Sequence, residues 1–340
     1  MIPRSLSIRA LYAPTPALKL GRARWLSSSA TRAAAADAKD RLPPYNPVGV
    51  ARALQATPTT PAKPTIFEHE FSLADRVALV SGANRGIGLE MAMALAEAGV
   101  RAVYCLDLPK TPGEDFVKVK EYVARMEGRK GEGRLEYMSG DVTDQEAMWK
   151  LGEEIGKREG RMDVSVAAAG VLKPETPCLD YPAKQFKEAS SGTKSVLAVN
   201  VNGVLFTAQA AGRQMVKFNN GGSIIMIASI CGSLTIQDHP WVSYNTSKSA
   251  VLQMARSMAC ELGPQGIRVN TISPGYINTS MTGQFLQGRP DLLEKSSNEN
   301  PMGRIGRPDE LRGATVWLSS DASSFCTGSN IVISGGHHAW

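Results

Sequence analysis

From Ile66 onward, short apolar runs alternate with longer stretches in which apolar positions recur at helical spacing. Val77–Val80, Ala102–Leu106, Leu135–Met138, Val164–Ala167, Ser223–Ala228, Ile267–Ile272 and Ile331–Ile333 read as buried strands. Ile87–Ala98, Gln145–Lys157, Val201–Phe218, Val242–Leu262 and Asp309–Ser319 read as helices between them. A parallel crossover needs a helix, so regular alternation predicts an α/β fold: one doubly wound parallel sheet of about seven strands with helices on both faces.

The pattern fades toward the N-terminus. Pro43, Pro44, Pro47, Pro58, Pro61 and Pro64 punctuate residues 37–65, a composition expected to behave as a disordered, extended linker, and the domain is expected to run from 66 to 340. Residues 1–36 contain no acid and are rich in Arg, Ser and Ala, as mitochondrial transit peptides are. Arg24-Trp25-Leu26 followed by Ser27-Ser28-Ser29 resembles a matrix-peptidase cleavage site, which predicts a mitochondrial matrix location. The alternative is a tail without an address, leaving a cytoplasmic protein.

The net charge of +6 changes meaning once it is located. Arg4, Arg9, Lys19, Arg22, Arg24 and Arg32 all precede the first acid, Asp37, so the rest of the chain balances 32 basic against 32 acidic residues. A nucleic-acid partner is therefore not expected, because the folded part carries no basic excess. Cys105, Cys178, Cys231, Cys260 and Cys326 form an odd set with no Cys-x-x-Cys pair, which suits a reducing compartment rather than a disulfide framework or a zinc knuckle. No apolar run reaches the roughly 18 residues of a membrane span. His337 and His338 are adjacent and point apart in most backbones, so no metal site is expected.

The first chemistry lies where the strand Val77–Ser81 runs into Gly82-Ala83-Asn84-Arg85-Gly86-Ile87-Gly88 and then a helix. Glycines let a pyrophosphate approach the backbone, and the helix N-terminus offers free N–H groups and partial positive charge. Asp107 ends the next strand, where a carboxylate accepts hydrogen bonds from an adenosine ribose and repels a 2′-phosphate, favouring NAD. Arg85 argues for NADP, because a guanidinium pairs with that phosphate.

A second group begins with Tyr244, which has Lys248 four positions later on one helix face. A phenol titrates near 10, so a useful base near neutrality needs about three units of depression, roughly 4 kcal/mol. A buried ammonium and an oxidised nicotinamide are two cations able to supply it. Ser229 ends another strand, where its hydroxyl can hold a substrate oxygen, and Asn200 is placed to pass protons through water. Pro274-Gly275-Tyr276-Ile277-Asn278-Thr279 follows a further strand and can close over a nicotinamide.

From about Ser72 to Gly336 these residues resemble the short-chain dehydrogenase/reductase family, with its Rossmann-type fold. The resemblance implies Asn200, Ser229, Tyr244 and Lys248 as the catalytic group of an NAD(P)-dependent oxidoreductase that interconverts secondary alcohols and ketones. It implies cofactor contacts from Gly82, Asn84, Arg85, Gly86, Ile87, Gly88, Asp107, Asp141, Val142, Ala169, Gly170, Pro274, Gly275, Ile277 and Thr279, with Tyr244 and Lys248. It also implies a homo-oligomer, a dimer or tetramer. Two departures stand out. The family's Asn-Asn-Ala-Gly is Ala167-Ala168-Ala169-Gly170 here, and Ala189-Ser190-Ser191-Gly192-Thr193-Lys194-Ser195 reads as an inserted loop before the helix carrying Asn200.

Substrate choice is expected from the loop 276–301 and from Gln237-Asp238-His239-Pro240-Trp241, whose polar side chains suit a hydroxylated substrate. His239 reads as a pocket wall, and Cys231 as an apolar filler that could line the pocket and be alkylated. The ending Gly335-Gly336-His337-His338-Ala339-Trp340 resembles that of fungal polyol dehydrogenases and ketose reductases, which implies a small-molecule polyol/ketose pair. The rivals are a 3-oxoacyl thioester reductase and a catalytically silent dinucleotide-binding protein.

Overall fold

A computed structural model describes residues 47–127, 133–187, 194–286 and 290–340. The expected targeting sequence, the first part of the linker, residues 189–193 of the inserted loop and residues 287–289 lie outside them.

Seven strands form one wholly parallel sheet in the order β3-β2-β1-β4-β5-β6-β7. They are β1 (Val77–Ser81), β2 (Ala102–Asp107), β3 (Arg134–Ser139), β4 (Val164–Ala167), β5 (Gly222–Ile227), β6 (Ile267–Pro274) and β7 (Asn330–Ile333). The α-helices are α1 (Gly49–Gln55), α2 (Gly86–Glu97), α3 (Glu114–Ala124), α4 (Gln145–Glu159), α5 (Ala183–Lys187), α6 (Val204–Phe218), α7 (Val242–Leu262), α8 (Ser280–Leu286), α9 (Pro290–Asn298) and α10 (Arg312–Ser319). Among the described residues no helix is long and apolar enough to cross a membrane.

The two faces of the sheet follow from the pleat. Val77 and Leu79 of β1 join a core with α4, α6 and α7 that includes Met148, Ile155, Met215 and Val251. Ala78 and Val80 point the other way, into a core with α2, α3 and α10 built around Met91, Leu95, Phe116 and Leu318. Every residue of β1 and β4 is buried, as central parallel strands covered on both faces must be, whereas the edge strands β3 and β7 are partly exposed. Truncating Leu79, fully buried in the first core, would cost about 2–5 kcal/mol.

The structure departs from expectation in several places, among them the expected loop 276–301, which carries α8 and α9. A two-turn helix, α1, lies inside the stretch expected to be an extended linker, and it buries none of its residues. The proline-free run Val48–Thr57 is long enough for local helix, while the prolines on either side stop it. Helix α3 went unread because only Phe116 and Val123 are buried from it, two anchors in an otherwise polar stretch. Helix α6 is preceded by a π-helical turn, Ala198–Gly203, and that turn carries Asn200. Single π turns inside longer helices often mark functional positions.

Candidate active site

Strand order reverses between β1 and β4, and open parallel sheets bind ligands in the crevice at that point. The turn after β1 meets the segment after β4 there at close quarters. A Cβ on Gly82 would lie 2.7 Å from the Ala169 backbone, and one on Gly88 would lie 2.2 Å from the Gly82 carbonyl oxygen. Gly86, at φ +59°, has only Thr279 nearby, 3.9 Å from where its Cβ would be, so it opens onto free space under the loop after β6. Helix α2 starts there with no side-chain cap and no acid in its first turn. Its free N–H groups therefore suit an anion, and a dinucleotide pyrophosphate fits this cradle.

Asp107 is oriented by the same turn. Its Oδ2 accepts from the Asn84 N–H at 3.1 Å and its Oδ1 from the Leu108 N–H at 2.8 Å, leaving one lone pair on each oxygen for ribose hydroxyls. The Asn84 side chain does not face the crevice alone: its Oδ1 accepts from the Gly113 N–H at 2.8 Å and ties the turn to the start of α3. Arg85 is exposed, and no described residue pairs with it. Asp141 already has partners, Thr143 on Oδ1 and the Lys194 ammonium at 2.8 Å on Oδ2, which hold its carboxyl below the usual carboxylate range against a burial cost acting the other way. Val142 is buried and packs where only a glycine fits, since a Cβ on Gly203 would come within 2.7 Å of it.

The expected catalytic residues converge. Lys248 is 4% exposed, and its Nζ donates to the Ile227 carbonyl at 2.8 Å and lies 5.6 Å from the centre of the Tyr244 ring. Ser229 lines the same cavity as Tyr244 and accepts from the Cys231 N–H at 3.2 Å. Asn200, fully buried, clamps the Val171 peptide in both directions: Oδ1 accepts at 2.8 Å and Nδ2 donates at 3.0 Å. Its Nδ2 also donates to Ser247 Oγ at 3.2 Å, and Ser247 in turn donates to the Tyr244 carbonyl at 2.7 Å. The Asn200 side-chain amide thus braces the loop after β4 and the helix of the tyrosine. Gly170 sits between the two groups, with a Cβ position 3.5 Å from Asn200 Oδ1 and 3.8 Å from Lys248 Nζ.

The inserted loop does not displace Asn200. Ser195, at its end, is buried and accepts from the Ala198 N–H at 3.1 Å, starting the π turn in register. The missing amides of the alanine run are replaced by hydroxyls: Thr207 donates to Ser81, and the Ala169 N–H donates to the same oxygen at 3.4 Å.

Of the two cations expected to depress the Tyr244 phenol, the chain by itself supplies one, the Lys248 ammonium. Tyr244 is partly exposed, yet burial around its hydroxyl pushes the phenol above its ordinary value. Burial also brings the Lys248 ammonium down to about 8. In the chain by itself desolvation dominates, so Tyr244 rests protonated.

Leu172, Ser229, Ile230, Ile236, Trp241, Tyr244, Tyr276 and Met281 line a cavity of about 80 Å³ over these groups. Cys231 shares that lining but is buried, and burial raises its thiol, so it acts as filler and not as a reactive nucleophile. His337 packs edge-on against Tyr276 at 5.9 Å, and His338 Nδ1 bonds Ser334 at 2.9 Å. The C-terminal histidines thus brace the pocket wall. Residues that sequence reasoning missed include Ser247, Lys194 and Glu175. Ser247 was legible in part, since it lies three positions after Tyr244 on the same helical face.

Residues 82–338 match the family model described as enoyl-(acyl carrier protein) reductase. The chain belongs to the short-chain dehydrogenase/reductase family. Sorbose reductase of Schizosaccharomyces pombe is 36% identical over 267 residues, covering 78% of this chain and 97% of that protein. D-arabinitol 2-dehydrogenase (ribulose-forming) of Scheffersomyces stipitis is 30% identical over 79% of this chain and 96% of its own. The solved structure of a gluconate 5-dehydrogenase from Burkholderia cenocepacia, in complex with NADP and tartrate, is 28% identical with a TM-score of 0.68, covering 80% of this chain and 98% of that one.

As a member of this family the protein is an NAD(P)-dependent oxidoreductase acting on secondary alcohols. Held by the glycine turn and Asp107, the dinucleotide would supply the hydride acceptor or donor and, when oxidised, a positive charge. Ser229 and Tyr244, both in the cavity lining, would hold a substrate oxygen between two hydroxyls. In carbonyl reduction the Tyr244 hydroxyl, which burial keeps protonated, would give its proton to that oxygen. In alcohol oxidation the phenolate takes the proton, and the Lys248 ammonium keeps the phenolate from being an isolated buried charge.

Proposed function

We propose that the protein interconverts a sugar alcohol and its ketose, with NAD(H) as the preferred cofactor. The observation that carries the reaction is the meeting of Ser229 and the Tyr244 phenol in the lining of a small cavity, with the buried Lys248 amine 5.6 Å from the phenol ring and next to Gly170, which follows the Ala169 backbone that the glycine turn packs against. Similarity to the sorbose reductase and the D-arabinitol dehydrogenase supports the substrate class. The lining beyond the catalytic groups also carries Tyr276, with His239 in the adjoining groove, polar groups suited to distal hydroxyls. The Asp107 carboxylate favours NAD; the exposed Arg85 and the NADP in the gluconate dehydrogenase favour the alternative.

The test is initial rates on D-arabinitol, mannitol, sorbose and xylulose with each cofactor, using Tyr244→Phe as control. The variant should bind the dinucleotide and lose turnover. Activity confined to acyl thioesters would reject the substrate class, and dinucleotide binding without turnover on any carbonyl would reject the enzyme reading.

Two further parts of the proposal concern context. The acid-free first 36 residues support delivery to the mitochondrial matrix, tested by following a fluorescent fusion with and without them. The outer faces of α6 and α7 share a groove lined by Leu205, Met254, Met258 and Leu262, which supports a homo-oligomer, tested by light scattering.

A further inference from the structure

Loops from two adjacent strands meet above the catalytic floor. The one after β4 begins at Val171, clamped by Asn200, and passes Leu172 in the pocket lining before it reaches Glu175. The one after β5 carries His239 and Trp241 into α7. They are joined twice: Glu175 Oε1 contacts His239 Nδ1 at 2.5 Å, and the Thr176 N–H donates to the Pro240 carbonyl at 3.4 Å.

The histidine ring is buried and lies flat on the Trp241 indole, with centroids 4.3 Å apart and planes 10° from parallel. Trp241 then meets the Tyr244 ring edge-on at 6.3 Å. A histidine ring rotates over a broad torsional well, so parallel stacking needs something to fix the plane. The short carboxylate bond to Nδ1 does so. Trp241 and Cys231 line both the catalytic cavity and the groove beside it, whose other walls include Ser233, Thr235, Asn245 and Thr246. The indole is therefore the partition between the small reacting site and a hydroxyl- and amide-lined extension.

We propose that Glu175 is a positioning residue for substrate selection: by holding His239 flat against Trp241 it sets the wall along which the distal hydroxyls of a polyol lie. This rests on the polyol reading above. The hydride and proton steps do not need Glu175, so its effect falls on binding of the part of the substrate remote from the reacting carbon.

The experiment compares Glu175→Ala, Glu175→Gln and His239→Ala in the full chain, on D-arabinitol and on the smallest secondary alcohol that the parent protein oxidises. A charge-assisted hydrogen bond is worth enough that Glu175→Ala should raise the polyol KM about tenfold or more. The kcat should stay within about threefold, with the small alcohol and the dinucleotide Kd unaffected. Glu175→Gln keeps an acceptor for Nδ1 and should restore most of the polyol KM. The near-ultraviolet circular dichroism of the indoles should change alike in Glu175→Ala and His239→Ala.

An unchanged polyol KM in Glu175→Ala overturns the proposal, as does a rise in KM shared by both alcohols together with a weaker dinucleotide Kd. If the parent protein oxidises no polyol, the substrate reading fails by itself. The indole spectrum then still decides the positioning role, and an unchanged spectrum in Glu175→Ala overturns it.

Discussion

Lys248 puts an ammonium where water barely reaches, and that has a measurable cost. Its side chain is 4% exposed, and burial brings its pKa from 10.5 to about 8. A shift of that size corresponds to roughly 3 kcal/mol of differential stability between charged and neutral forms. Below pH 8 the folded and unfolded chains both hold the proton, and the folded state bears the whole desolvation cost. Between pH 8 and 10.5 the unfolded chain keeps a proton that the folded chain has released, so the unfolding free energy contributed by this group rises with pH.

Lys248→Met removes the charge and fills similar volume. It also leaves the Ile227 carbonyl without its 2.8 Å donor, a loss of about 1–3 kcal/mol that offsets part of the gain at neutral pH. The variant is therefore expected to be at least as stable as the parent at pH 7, and its advantage should shrink by roughly 3 kcal/mol as pH rises to 10.5. Urea unfolding of both proteins across pH 7–10.5, followed by far-ultraviolet circular dichroism, gives this difference directly, because most other titrating groups are common to both and cancel. Turnover should fall by about a hundredfold or more, since the phenolate loses its counter-charge. A stability difference that is flat with pH, or that moves in the variant's favour above pH 8, would refute the reasoning.

Other residues give equally specific expectations. Gly88→Ala should abolish dinucleotide binding and destabilise the fold by about 1–3 kcal/mol or more, because its Cβ would sit 2.2 Å from the Gly82 carbonyl oxygen. Gly86→Ala has room and should cost only the left-handed strain, about 1–2 kcal/mol; thermal unfolding and dinucleotide titration of the pair compare the two, and equal losses would contradict the geometry. Asp107→Ser should shift the ratio of kcat/KM for NADP over NAD upward by about a hundredfold, from relieved repulsion and lost ribose bonds. An unchanged ratio would remove Asp107 from cofactor selection. Asn200→Ala should lower stability by about 1–3 kcal/mol by orphaning the Val171 peptide, whereas Ser247→Ala should cost only about 1 kcal/mol in the same denaturant assay.

The parts of this molecule that could be read from its residues are those governed by local rules. Strands β1 and β4 announce themselves because burial on both faces makes them near-continuous apolar runs, and the glycine turn because its backbone cannot tolerate a Cβ at Gly82 or Gly88. Tyr244, Lys248 and Ser229 were legible because strand ends and helix faces fix where such side chains point. Helix α3 was not, since two anchors seven residues apart leave almost no periodic signal. The seven-residue spacing of Phe116 and Val123 is still two turns of one face, so the packing is ordinary and only its trace in the sequence is thin.

What remained hidden depends on contacts far apart in the chain. Glu175 and His239 are separated by 64 residues, and Asp141 and Lys194 by 53, so neither pair has a spacing that distinguishes it from surface charge. The burial of the Tyr244 hydroxyl was hidden for a related reason. Helical spacing shows that an amine lies beside the phenol, but not how much protein surrounds both, and burial here raises the phenol and lowers the amine. An acid that rests protonated and becomes a base only when a cation arrives couples proton transfer to occupancy of the crevice. That coupling lets one tyrosine serve both directions of the reaction without a second titrating group, and it makes the buried Lys248 a necessity of the chemistry and a liability of the fold at once.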